Sequence, residues 1–114
     1  MSILAELNGV LADLKIPVET GVFSGVPPNE YCVLTPLTDS FALFGDNMPQ
    51  MEVSEVRVSL FCKGNYIKRK NQMAAALLAA GFAITGRRYV GHEEDTGYNH
   101  YAIDVAKEYG MEGQ

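Results

Sequence analysis

Between Glu52 and Cys62 the chain alternates with a period of two. Val56, Val58, Leu60 and Cys62 fall on one side, and Glu55, Arg57, Ser59 and Phe61 on the other. Only a strand with one buried face needs that spacing, because successive side chains of a strand point to opposite sides. A strand of this kind is not stable alone. It requires neighbours for its backbone and a layer of other elements over its apolar face. This one run therefore commits the chain to a sheet with a covered side.

The flanking sequence supplies both the neighbours and the cover. Leu4, Leu7, Leu11 and Leu14, with Val10 beside them, recur at three- and four-residue steps and predict an amphipathic helix. Ser2 is placed to cap it and Pro17 to bound its far end. Val18 to Phe23 reads as a short strand before the turn residues Ser24 to Pro28, and Tyr31 to Leu37 as a longer one. After Gly64, Asn65 is a helix cap, and Asn65 to Ala80 is helical, with Ile67, Ala74, Leu77 and Leu78 as its apolar stripe and Gly81 as its terminator. Phe82 to Val90 and Tyr98 to Ala106 follow as two strands joined across Gly91 to Gly97. Strands joined directly are expected to pair antiparallel. The predicted architecture is α+β: a mainly antiparallel sheet of four to five strands with two helices packed on one face. Residues 1–107 form the single domain and 108–114 a polar, fraying tail.

Composition limits the function classes. The chain has 114 residues, the size of one domain with one core. Nine basic against fourteen acidic residues give a net charge of −5, which disfavours a general binder of nucleic acid or of anionic membranes. No apolar run approaches the roughly 18–20 residues that span a bilayer. The first fifteen residues lack a basic leader and do not read as a secretory signal. Cys32 and Cys62 each sit in a strand-like run and read as small buried hydrophobes rather than as a disulfide or a reactive thiol.

No catalytic constellation emerges. His92, Glu93, Glu94 and Asp95 lie in a turn, and their spacing is not the helical HExxH of a zinc site, so a solvated hairpin tip is expected there. His100 and Asp104 share a strand face but stand roughly 13 Å apart, too far for a dyad. The serines lack a nucleophile elbow, and the glycines form no phosphate loop. No enzyme, metal or cofactor is expected. Two departures from uniformity remain. Lys63, Lys68, Arg69 and Lys70 are four of the nine basic residues, leaving the rest of the chain strongly acidic. The segment Thr38 to Gln50, read as a long loop, holds Phe41, Leu43, Phe44 and Met48. Phe41 and Phe44 either fold back on the sheet or form an apolar surface for a partner. The six residues Phe41, Phe44, Lys63, Lys68, Arg69 and Lys70 are the candidate contact positions.

Three local motifs carry a family resemblance: Phe61-Cys62-Lys63-Gly64-Asn65, Ala80-Gly81-Phe82, and Glu94-Asp95-Thr96-Gly97-Tyr98-Asn99-His100. The likeness is concentrated in residues 52–105, while the order of elements extends it over nearly the whole chain. In these motifs the chain resembles the small tail-completion, tail-terminator-like proteins of siphoviruses and prophages of Gram-positive bacteria. The resemblance implies a virion structural protein, assembled in the host cytoplasm, that closes the head-proximal end of the tail tube as a hexameric ring. Its partners would be itself, the major tail tube protein and the head connector. It would touch DNA only through the tube lumen and would touch no membrane. A connector-side neck protein, and a small ligand-binding α+β module using Arg87, Arg88 and the His92–Asp95 turn, are the competing readings.

Overall fold

The computed structural model describes residues 2–21, 25–45 and 48–110, with the backbone alone for 42–45 and 48–50. The elements in order are α1 (Ile3–Asp13), β1 (Val18–Thr20), β2 (Glu30–Gly45), β3 (Met48–Cys62), α2 (Tyr66–Ala79), β4 (Ala83–His92) and β5 (Asn99–Gly110). The five strands form one sheet in the order β1-β2-β3-β5-β4. The fold is α+β, with the covered sheet face that the alternation in β3 requires.

Both helices are set by their ends. The Ser2 side chain accepts from Ala5 N–H at 3.2 Å, and the Asn65 side chain accepts from Lys68 N–H at 3.2 Å. At the C-terminus of α2, Gly81 N–H bonds Leu78 O (3.1 Å) and Phe82 N–H bonds Leu77 O (3.0 Å). This is a Schellman closure with glycine in the left-handed conformation. α1 closes in the same way through Lys15 N–H to Ala12 O (2.9 Å) and Ile16 N–H to Leu11 O (3.0 Å). Here the left-handed position is held by Lys15 at φ 60°. Ile16 and Leu11 are both buried, so an apolar contact accompanies the turn.

The helices lie over one face of the sheet. Leu7 and Leu11 of α1 and Met73 and Leu77 of α2 join Cys32, Leu34, Val56, Val58, Leu60, Ile103 and Val105 in the main core. The predicted stripe of α2 is shifted: Met73 is buried beside Ala74 and Leu77, whereas Ile67 and Leu78 are exposed. Leu78 is one residue, about 100° of helix rotation, beyond Leu77, which turns it away from the sheet.

Three other expectations are corrected. The segment Thr38 to Gln50 is not a loop. β2 and β3 continue to pair through Phe41↔Glu52 and Ala42↔Met51 to Gly45↔Met48, after a bulge between Pro36 and Thr38. The ladder with β3 pairs one edge of that segment's backbone; Asp46 and Asn47 lie outside the described residues. β1 is shorter than predicted and pairs parallel to β2, Val18↔Cys32, rather than antiparallel. The end of the first strand run, Val22 and Phe23, lies outside the described residues. β5 stays paired to Gly110, opposite Met51, three residues beyond the predicted domain boundary at 107; residues 111–114 lie outside the described residues. The long β2–β3 pair makes the molecule elongated, 55 × 26 × 23 Å.

Candidate assembly surfaces

The candidate contact residues separate into different environments. Arg69 is not a free surface cation. Its guanidinium bonds Glu30 Oε1, Gln72 Oε1 and Leu14 O, each at 2.8 Å, and so ties α2 to the start of β2 and the end of α1. Fixed planar donors of this kind suit arginine and not lysine. Lys63 and Lys70 lie over aromatic rings, with Nζ 4.8 Å from the Tyr98 ring centre and 5.1 Å from that of Tyr101. Lys70 also donates to Asn71 Oδ1 at 3.3 Å. Lys68 is exposed and forms no ion pair among the described residues. Lys63, Lys68 and Arg69 border an open depression of about 650 Å³ that also includes Asn29, Glu30 and Gln72.

Phe41 is 56% exposed on the distal part of β2. The backbone of Phe44 pairs with Pro49, while its side chain lies outside the described residues. The structure therefore does not gather the six positions into one patch. The phenylalanines sit toward the hairpin tip, and the basic residues sit at the opposite end of β3.

The sheet face away from the helices carries features that no motif announced. Tyr31 stacks on Phe61 at 4.9 Å, and Phe61 stacks on His100 at 4.2 Å. Tyr98 meets Tyr31 edge-on at 5.4 Å, and its hydroxyl donates to Pro28 O, which pins the segment before β2. These aromatics with Val33 form a second, smaller cluster. The one signal available was Phe61 standing among the polar positions of β3. One row further, Arg57 makes a two-pronged pair with Asp104 at 2.8 and 3.1 Å. Pairing with that carboxylate favours the charged guanidinium still further. Burial holds the His100 imidazole below its ordinary value of 6.5, and Arg88 and Arg57 add to this while Glu93 opposes it. His100 Nε2 is buried and has no hydrogen-bond partner among the described residues. His100 and Asp104 share this face, as expected, and Asp104 is engaged by Arg57 rather than by the histidine.

Behind the sheet, Lys107 Nζ reaches Glu6 at 2.8 Å and Ala80 O at the end of α2 at 3.2 Å. The Tyr109 hydroxyl donates to the same Glu6 carboxylate at 3.0 Å. Lys107 is the main reason the Glu6 carboxyl lies below the usual range. Burial and the neighbouring carboxylate push the Tyr109 hydroxyl up. This clasp joins both helices to β5.

The His92–Asp95 turn is exposed. It is closed by Glu93 N–H to Tyr98 O (2.8 Å) and Gly97 N–H to Glu93 O (2.7 Å), and His92 Nδ1 lies 3.1 Å from Asn99 Oδ1. Among the described residues no three His, Cys, Asp or Glu side chains gather into a metal-binding group. Both cysteines are buried and free, and burial pushes both thiols up. Among the described residues no helix is long and apolar enough to cross a membrane.

Among the described residues, the exposed surfaces are Thr38–Phe41 of distal β2 and the outer strand β4 with Tyr89 46% and Val90 48% exposed, whereas the aromatic cluster on the far sheet face is itself largely buried. No protein-family model matches the chain, and no curated protein matches it.

Proposed function

We propose that this chain is a phage structural protein that completes the head-proximal end of a siphophage tail tube as a ring and contacts the head connector. It acts through surfaces and not through catalysis. The observation that carries the reading is the resemblance of residues 52–105 to tail-completion proteins. Its three motifs fall on the joints of the fold: the capped start of α2, the Schellman closure at Gly81, and the turn into β5. They therefore carry architecture, as the motifs of an assembly part would.

The shape supports the same reading. A ring needs two different patches on each subunit that meet head-to-tail with rotational closure. An elongated sheet with exposed Thr38–Phe41 toward one end and basic side chains at the other presents unlike surfaces toward its extremes.

Deleting the gene from an inducible prophage and imaging the lysate tests the role. Filled heads beside unjoined or overlong tails are expected. Normal infectious particles would remove it.

A further inference from the structure

We propose that the open edge of distal β2, Thr38–Leu43, pairs antiparallel with the outer edge of β4 in a second copy of this chain, so that the sheet continues from one subunit into the next. The inference rests on the ring reading for its head-to-tail sense and otherwise on the sheet itself.

β2 has β3 along one side for its full length, but on the other side β1 covers only Cys32 to Leu34. Beyond the bulge at Leu37, no strand among the described residues meets this edge. Such an edge presents a row of unpaired N–H and C=O groups, a template for another strand. Native edges are commonly guarded by proline, lysine or a bulge. β2 has Pro36 and the bulge, yet from Thr38 to Gly45 its only charged residue is Asp39. The unguarded stretch begins where the guards end.

β4 is the other edge of the sheet. Its bulges between Ile84 and Gly86 and between Tyr89 and Gly91 bracket a regular segment, Gly86–Tyr89, that carries Arg87 and Arg88. Both arginines are exposed, and neither joins an ion pair among the described residues. Around the β2 edge, Glu55 stands across from Thr38 and Glu52 across from Phe41, so the arm is acidic. Opposite charges favour β2 against β4. Two arms pairing with each other would bring like charges together.

Strand direction agrees. Through the antiparallel steps β2-β3-β5-β4, strand β4 runs opposite to β2. Copies related by rotation about an axis along the strands keep these directions, so β4 of one falls antiparallel to β2 of the next. Side-chain alternation then fixes the register. Asp39 lies in the row of Ser54 and Lys107, on the helix side, and Arg87 lies opposite Ile103 on that same side. Thr38 and Arg88 both fall on the other face. Setting Asp39 across from Arg87 sets Thr38 across from Arg88, with every side chain on its own face.

The test uses full-length chains carrying Asp39→Cys or Arg87→Cys, both at exposed positions, with the native thiols buried. Each is confirmed folded by circular dichroism, then oxidised alone and in an equimolar mixture at high protein concentration. A disulfide-linked dimer is expected from the mixture, with neither chain alone rising above background. A chain carrying both substitutions is expected to give a ladder of oligomers. A Lys68→Cys chain mixed with Asp39→Cys reports random collision and is expected to give no excess. Dimer from Asp39→Cys alone would mean two-fold arm pairing, and dimer from Arg87→Cys alone would mean β4 pairing with β4. Either result, or no excess in the mixture, overturns the proposal. A ladder together with normal particles from the gene deletion would overturn the virion role and leave the edge pairing standing. No excess together with unjoined tails would do the reverse.

Discussion

Arg69 and Lys68 are adjacent in sequence and do different work. Arg69 satisfies a carboxylate, an amide and a helix-terminal carbonyl at once. Arg69→Ala strips the partly buried Glu30 carboxylate and Leu14 carbonyl of their donor, and a loss of about 1–3 kcal/mol in chemical denaturation is expected. Lys68→Ala is expected to stay within about 0.5 kcal/mol. Equal effects would contradict this division. The pH dependence of stability is also set by single residues. The His100 imidazole is held low, so the unfolded chain binds the proton more readily. Its contribution is full above the ordinary value of 6.5 and is lost as pH falls below it. Glu6, also lowered, adds a second loss below its ordinary value of 4.5. The melting temperature should therefore fall in two stages on acidification. His100→Phe, which keeps a ring against Phe61, should flatten the upper stage and leave the lower one.

At the scale of elements, the helix closures invite a direct comparison. Gly81 and Lys15 occupy the same left-handed position at the ends of α2 and α1, and only glycine adopts it without cost. Lys15→Gly is expected to stabilise the protein by about 0.5–1 kcal/mol, and Asn65→Ala to destabilise it by about 1 kcal/mol through loss of the cap. Thermal melts check both signs. The caps at Ser2 and Asn65, the terminator Gly81 and the facing of β3 were all legible in the sequence, because each depends on local spacing. The distal hairpin was not. Gly45 and Pro49 resemble loop residues until the cross-strand partners are known, and pairing at long separation leaves no local period. For the same reason Arg57–Asp104 and the Phe61–His100 stack could not be read. Their members lie more than thirty-five residues apart and meet only through the β3–β5 register.

For the whole molecule, the distribution of surfaces matters more than any one site. One face of the sheet is sealed by two helices, the other carries a largely buried aromatic cluster and an arginine–aspartate pair, and the uncovered edge of distal β2 differs from the edge strand β4 in charge and guarding. A subunit with unlike edges suits closed head-to-tail assembly. The most direct measurement of the tail-completion role is the position of the protein on the particle. Purified virions carrying an epitope tag at the C-terminus of this chain, labelled with gold and imaged by electron microscopy, should show label at the head–tail junction and nowhere along the tube. Label distributed along the tail, or none on infectious particles that are positive for tagged tail-tube protein, would contradict it.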